Sequence, residues 1–280
     1  MISILLKKFI VKIYKLISNF YIFIFGRKSM QFYNDIILSL SLNAKGYKNY
    51  GDFNKTGEKA FIKLINKEIK FSIDVGANIG NYTKLLLRET DSTIFSFEPL
   101  PKAFEKLKTI KEKFSDRLKI FNIGLGDKNT NLEINYGDET SEKASFLKNL
   151  EGLSFVRDYN KHSMLIEVKK LDDYEEILSV KNIDLIKIDT EGYEYEVLLG
   201  AQKILSKYKP KFIQIEFNWH QMIKKQTLYS FSKLIPFSDV FQILPNGNKL
   251  IEVDPMRPES NIYHLSNFVF IRKDISKRFK

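Results

Sequence analysis

From Gly51 onward short apolar runs alternate with helical periodicity, the pattern of strands buried on both faces and joined by crossover helices. The chain therefore reads as an α/β fold around a parallel sheet. Residues 57–68 read as a helix leading into a first strand at 71–75, and 81–89 as the helix after it. Strands follow at 93–97, 118–123, 183–189 and 212–217, with helices at 103–114 and 193–205 between them. A helix near 226–235 precedes 240–244 and 268–272, read as a closing antiparallel pair, with a hairpin-turn signal at Asn246-Gly247. Residues 129–162 are polar and rich in turn residues, the pattern of a hairpin and loop insertion that covers a substrate. A short strand at 165–169 and a helix at 172–178 lead back to the core. No linker divides the body, so 51–273 is expected to be one domain.

The first 50 residues break this pattern. Residues 1–25 are apolar except for lysines and a few small polar residues. On a helical wheel Lys7, Lys8, Lys12, Lys15, Ser18 and Asn19 share an arc of about 140°, with Ile4 and Val11 inside it. The charges argue against a membrane-spanning helix, which needs about 20 predominantly apolar residues. A secretory signal fits poorly too, since lysines interrupt the hydrophobic stretch and no small-residue cleavage site follows. We read 1–50 as a basic amphipathic helical appendage whose apolar face meets either a membrane surface or the protein's own domain.

The charge distribution changes what the overall charge means. Of the formal +11, residues 1–30 carry +6 and the tail from Arg272 to Lys280 carries +4, which leaves the rest of the chain at +1. A groove that tracks phosphates needs basic side chains on the folded domain itself, so no nucleic-acid partner is expected. The absence of cysteine excludes disulfides, thiolate nucleophiles and cysteine-ligated metals and fits a reducing compartment. The three histidines, His162, His220 and His264, have no paired metal-ligand spacing.

Residues 71–80 read FSIDVGANIG: a short strand, an acid, and a tight glycine turn at the mouth of a helix. Such a turn leaves backbone N–H groups at a helix N-terminus, open to an anionic group of a nucleotide-like cofactor. The alternative is a tight connection that holds no ligand. The spacing from Gly76 to Gly80 departs from G-x-G-x-x-G. With Asp74 ahead of it, the turn is similar to the first motif of class I S-adenosylmethionine methyltransferases. In a parallel sheet the strand C-termini open on one edge, where Asp74, Glu98, Asp127, Asp189 and Glu216 are expected to converge. Glu98, 24 residues beyond Asp74, has the spacing of an acid whose two oxygens accept both ribose hydroxyls, with Pro99 beside the adenine. Asp127 either accepts the adenine amine or bonds its own turn.

The series IDVGANIG, FEPLP, GLGD, LDDY, IDLIKIDTEGYEYEVLLGA and IQIEFN resembles the FkbM family of S-adenosylmethionine-dependent methyltransferases over roughly 51–273, most specifically at Lys187-Ile-Asp-Thr-Glu-Gly-Tyr-Glu194. The resemblance implies a Rossmann-like class I methyltransferase fold: a mostly parallel seven-stranded sheet, helices on both faces and an antiparallel final strand. It further implies O-methylation of a hydroxyl, with a sugar of a surface glycan or glycolipid as the expected acceptor. Asp74, Gly76, Asn78, Gly80, Glu98, Pro99 and Asp127 are the expected cofactor residues. A cytoplasmic protein, peripheral on the inner face of the cytoplasmic membrane, is the matching location. The alternatives on the same fold are a nucleic-acid methyltransferase and a non-catalytic membrane-surface binding protein. The near-neutral body and the missing Asn-Pro-Pro-aromatic motif argue against the first, and the intact Asp74, Gly76, Gly80 and Glu98 against the second.

An alcohol is a poor nucleophile at neutral pH and needs a base in reach of its proton. Asp189 and Glu191, where the fourth core strand opens, are the leading candidates; the alternative is that Asp189, Thr190 and Glu191 cap the helix near Gly192. Lys187 interrupts a buried apolar run and needs a partner, for which Glu216 on the neighbouring strand is expected. His220 is a weaker candidate base, more often a packed loop residue. Asp189, Glu191 and Glu216 would also suit magnesium or manganese, which bind through oxygen ligands and would lower the hydroxyl pKa.

Overall fold

Strand Phe71–Val75 is buried along its whole length, as a central strand covered on both faces must be. It sits inside a computed structural model that describes residues 4–114, 116–137, 144–147, 162–247 and 250–280. The chain divides into two units, Met1–Lys45 and Gly46–Lys280.

The first unit holds α1 (Ile4–Phe25) and α2 (Gln31–Ala44), joined by a 3-10 turn, Lys28–Met30. The chain bends by 97° at this break, and no single helix among the described residues is long and apolar enough to cross a membrane.

The second unit opens with α3 (Glu58–Ile65), followed by β1 (Phe71–Val75), α4 (Asn81–Glu89), β2 (Thr93–Phe97), α5 (Pro101–Lys113) and β3 (Leu118–Phe121). In α5, Pro101 opens the helix, and Ala103, Leu107 and Ile110 bury one stripe at helical spacing. After β4 (Gly124–Leu125), β5 (Thr130–Tyr136) and β6 (His162–Lys169) the chain returns through α6 (Glu175–Leu178) to β7 (Leu185–Ile188). Then come α7 (Glu194–Leu199), α8 (Gln202–Tyr208), β8 (Phe212–Phe217), α9 (Trp219–Ile223), α10 (Leu228–Leu234), β9 (Ser238–Ile243), β10 (Leu250–Glu252), β11 (Ser266–Arg272) and α11 (Lys273–Ser276).

The main sheet has eight strands in the order β10-β9-β11-β8-β7-β1-β2-β3, one more than the seven expected. The added strand, β10, is a three-residue edge strand paired antiparallel to β9, too short and too exposed to give a strand signal. The five strands from β8 to β3 are parallel, and β11 runs antiparallel to both of its neighbours, as expected of the final strand. Asn246 and Gly247 both take positive φ in the β9–β10 connection, in line with the turn signal.

Two other expectations are corrected. Residues 193–205 are two helices, interrupted at Gly200 and Ala201, and Gly200 lies against the backbone of Gly126, where a Cβ would fall 1.9 Å from the carbonyl oxygen. The Asp172 carboxylate then accepts from the Lys203 and Ile204 backbone N–H groups and caps the second helix from outside. The third core strand, expected over 118–123, ends at Phe121, and residues 124–125 join a separate sheet in the order β4-β6-β5. That sheet carries the described part of the 129–162 insertion; 138–143 and 148–161 lie outside the described residues. The basic tail packs within the second unit, where Lys280 pairs with Glu252 and Arg278 with Glu68.

Candidate active site

The C-terminal ends of β1, β2, β7 and β8 border a cavity of about 1100 Å³ whose wall includes Gly76, Asn78, Glu98, Pro99, Lys187, Asp189, Glu191 and Glu216. Three expected cofactor residues are not part of that wall. Asp74 is wholly buried and accepts from the Thr83 hydroxyl at 2.6 Å, while its other oxygen, Oδ1, has no hydrogen-bond partner. Gly80 packs inward, where a Cβ would fall 2.3 Å from Ile110. Asp127 is exposed beyond the cavity, because β4 carries the turn before it into the second sheet.

The glycine turn is shaped by protein rather than by ligand. Gly76 has φ +77°, and a Cβ there would lie 1.8 Å from the Asp189 carbonyl oxygen, so the turn can sit against the end of β7 only without a side chain. The Gly76 and Ala77 N–H groups both donate to the Phe97 carbonyl at 3.0 Å. Asn78 has φ +47°, and its backbone N–H donates to Glu98 Oε2 at 2.7 Å. Glu98 Oε1 accepts from the Leu100 N–H at 2.8 Å. Each carboxylate oxygen keeps a second lone pair, so the group can still accept two ribose hydroxyls. Burial pushes the Glu98 carboxyl up to about 7, and the two N–H donors offset part of that rise. Pro99, Leu100, Ile123 and Leu125 supply an apolar wall beside it, suited to an adenine ring.

Lys187 does not pair with Glu216 as expected. Its ammonium donates to Asp189 Oδ2 at 2.7 Å, two residues along the same strand and so on the same face. Its register partner on β8 is Gln214, which leaves Glu216 two residues further along. The ammonium also lies 4.9 Å from the centre of the Tyr82 ring. Burial lowers the pKa of this lysine, but Asp189, Asp74 and Glu58 together outweigh it and hold the ammonium above its ordinary range.

Glu58 was not foreseen. It is the first residue of α3 and reads as an ordinary first-turn acid, yet it is buried on the cavity wall, accepting from the Thr56 hydroxyl and from Gln214 Nε2, both at 2.7 Å. Gln214 in turn accepts from the Tyr82 hydroxyl at 2.8 Å.

Asp189, Glu191 and Glu216 each offer a carboxylate oxygen, and the three oxygens lie within 4.8 Å of one another. Burial, and then the charges of Asp189, Glu191 and Glu194, push the Glu216 carboxyl well above its ordinary range. Three carboxylates so close call for a cation or a shared proton. Hard oxygen donors in this number suit a divalent cation such as magnesium or manganese.

The turn that carries Asp189 and Glu191 is tied down by Glu194, which closes the Lys187–Glu194 motif but to which sequence reasoning assigns no role of its own. Its Oε1 accepts from the Thr190 N–H, the Thr190 hydroxyl and the Gly192 N–H at 2.9, 3.0 and 3.1 Å. Asp189 and Glu191 are both on the cavity wall, and the N-cap residue of α7, Tyr193, makes no side-chain capping bond. From the insertion, the Ser145 hydroxyl donates to the Glu191 carbonyl at 2.6 Å, and Phe146 packs on Tyr193. Burial, aided by Lys224, lowers His220 to about 3, so it is a neutral ring. Its Nδ1 lies 2.6 Å from Asn218 Oδ1, and the ring packs on Trp219.

The family described as the methyltransferase FkbM domain matches residues 74–249. Among curated proteins, the 2-O-methyltransferase NoeI of Sinorhizobium fredii is 23% identical over 202 residues, 68% of this chain and 80% of its own length. The hexuronic acid methyltransferase AglP of Haloferax volcanii is 28% identical over 162 residues, 57% of this chain and 62% of its own length. Methyltransferase 1 of Beauveria bassiana is 28% identical over 145 residues, 46% of this chain and 57% of its own length.

Proposed function

The chain belongs to the FkbM methyltransferase family and is an S-adenosylmethionine-dependent methyltransferase, and we propose that it methylates a sugar hydroxyl in a surface glycan or glycolipid. The observation that carries this reading is the carboxylate trio of Asp189, Glu191 and Glu216 on the wall of the cavity that also holds Glu98. The name of one relative, a hexuronic acid methyltransferase, supports a sugar acceptor, and that of another, a 2-O-methyltransferase, supports transfer to an oxygen. Residues 31–271, which supply the whole cavity wall, carry only +1, which supports a glycan over a nucleic acid.

In this reading Glu98 accepts the ribose hydroxyls, and the backbone of Gly76, Ala77 and Asn78 borders the methionine end. When bound, S-adenosylmethionine supplies a methyl group activated by its sulfonium. Asp189 and Glu191 hold the acceptor hydroxyl and take its proton, so that the oxygen attacks as an alkoxide-like nucleophile. Lys187 fixes Asp189, and Glu194 fixes the turn. Asp189, Glu191 and Glu216 would hold a divalent cation, which would lower the pKa of the hydroxyl.

The test is methyl transfer from deuterated S-adenosylmethionine to a panel of methyl glycosides and methyl glycosiduronic acids, read by mass. A labelled ether on a sugar oxygen supports the proposal. Transfer to an RNA oligomer or to an amine, with none to any glycoside, contradicts it.

A further inference from the structure

The first unit carries a second amphipathic stripe that continues the theme of the first. On α1, Phe9, Ile10, Ile13, Leu16, Ile17 and Phe20 occupy the arc opposite the lysines, and all six are exposed. On α2, Phe32, Tyr33, Ile36, Ile37 and Leu40 share an arc of about 140° and are exposed as well. Leu16 is 73% exposed, Phe20 66%, Phe32 69% and Leu40 64%, which is the reverse of a core helix pair.

The elbow between the helices is built rather than frayed. Asn34 donates from Nδ2 to the Phe25 carbonyl at 2.9 Å and accepts from the Tyr21 hydroxyl at 2.6 Å. Gln31 donates to the Arg27 carbonyl at 3.1 Å. The Phe25 and Arg27 carbonyls at the break are thus satisfied within the unit, as an apolar surrounding demands.

We propose that residues 4–44 form an interfacial membrane anchor, with both helices lying in one leaflet of an anionic bilayer. The two apolar stripes reach the acyl region and the lysines of α1 meet the headgroups. Charge selects this occupant: residues 1–30 hold six basic residues and no acid, which attracts anionic lipid and repels a second copy carrying the same +6. No single helix among the unit's described residues is long and apolar enough to span, and the lysines spaced along α1 favour an in-plane arrangement over a bent pair that crosses or re-enters. This anchor does not depend on which acceptor is methylated.

The test is flotation of the full chain with vesicles of phosphatidylcholine alone or mixed with phosphatidylglycerol, with S-adenosylhomocysteine uptake as a check that each variant is folded. Flotation with anionic vesicles at least about tenfold above neutral ones is expected. Leu16→Asp with Phe20→Asp, and separately Phe32→Asp with Ile36→Asp, should release the protein while leaving uptake intact. Lys12→Gln with Lys15→Gln should shrink the anionic preference. Failure of the folded wild type to float with either vesicle, or a dimer that the aspartate variants dissociate, overturns the proposal.

Discussion

The Lys187 ammonium lies 2.7 Å from Asp189 Oδ2 and is the buried cation that Asp74 and Glu58 also face. One lysine therefore balances acids from β1, from α3 and from the turn after β7, so its removal should be felt in stability as well as in rate.

Lys187→Met is expected to cost about 3–5 kcal/mol, because it leaves carboxylates buried without their cation. Burial raises the Asp74 and Glu58 carboxyls, and Lys187 offsets part of each rise. Without the lysine both acids take protons more readily, so the loss should shrink as pH falls. Urea unfolding at neutral and acid pH checks this; a variant as stable as the wild type at neutral pH contradicts it.

Gly76→Ala places a methyl group 1.8 Å from the Asp189 carbonyl on a residue with φ +77°. The strained backbone alone costs of order 1–3 kcal/mol, and the clash must also push the Asp189 turn away. The expected result is a lower midpoint of thermal unfolding together with weaker S-adenosylhomocysteine binding, measured on the same preparation.

Much of this was legible in the chain because the central strands are apolar runs with acids at their ends, and strand ends converge on one edge whatever the register. Register itself was not legible, and it decides that Lys187 meets Asp189 on its own strand rather than Glu216 across the sheet. Asp127, read as either an adenine acceptor or a turn residue, lies outside the cavity wall: GLGD follows a strand in sequence, yet its first glycine and its leucine pair with β6 in a different sheet. Glu58 gave no signal, and Glu194, although it closes the most specific motif, gave none of its burial, since an acid in the first turn of a helix is ordinary on a surface and only tertiary packing buries it. β10 escaped because three half-exposed residues form no pattern.

Asp189→Asn, Glu191→Gln and Glu216→Gln should each lower kcat by roughly 10²–10⁴-fold with little change in S-adenosylhomocysteine affinity, as expected of groups that act on the acceptor proton. Treatment with a chelator, followed by re-addition of magnesium or manganese, is expected to remove and restore turnover. The readout is initial rate against cation concentration, and unchanged turnover after chelation rules out the cation.

Glu98 has a folded pKa of about 7, raised above the ordinary glutamate value by burial. Its contribution to stability is therefore present below the unfolded value and is lost as pH rises through about 7. Ligand binding runs the other way, because ribose hydroxyls need the carboxylate as acceptor. Affinity for S-adenosylhomocysteine should rise roughly tenfold between one unit below that pKa and well above it. Glu98→Gln should show a flat profile, and a flat wild-type profile contradicts the assignment.

The most direct test of the account is calorimetric titration of the folded full chain with S-adenosylmethionine and with S-adenosylhomocysteine. The prediction is binding of both at one site per chain, lost in Glu98→Ala and kept in Asp189→Asn. Folded wild-type protein that takes up neither compound, or a Glu98→Ala variant that binds both as tightly as the wild type, contradicts it.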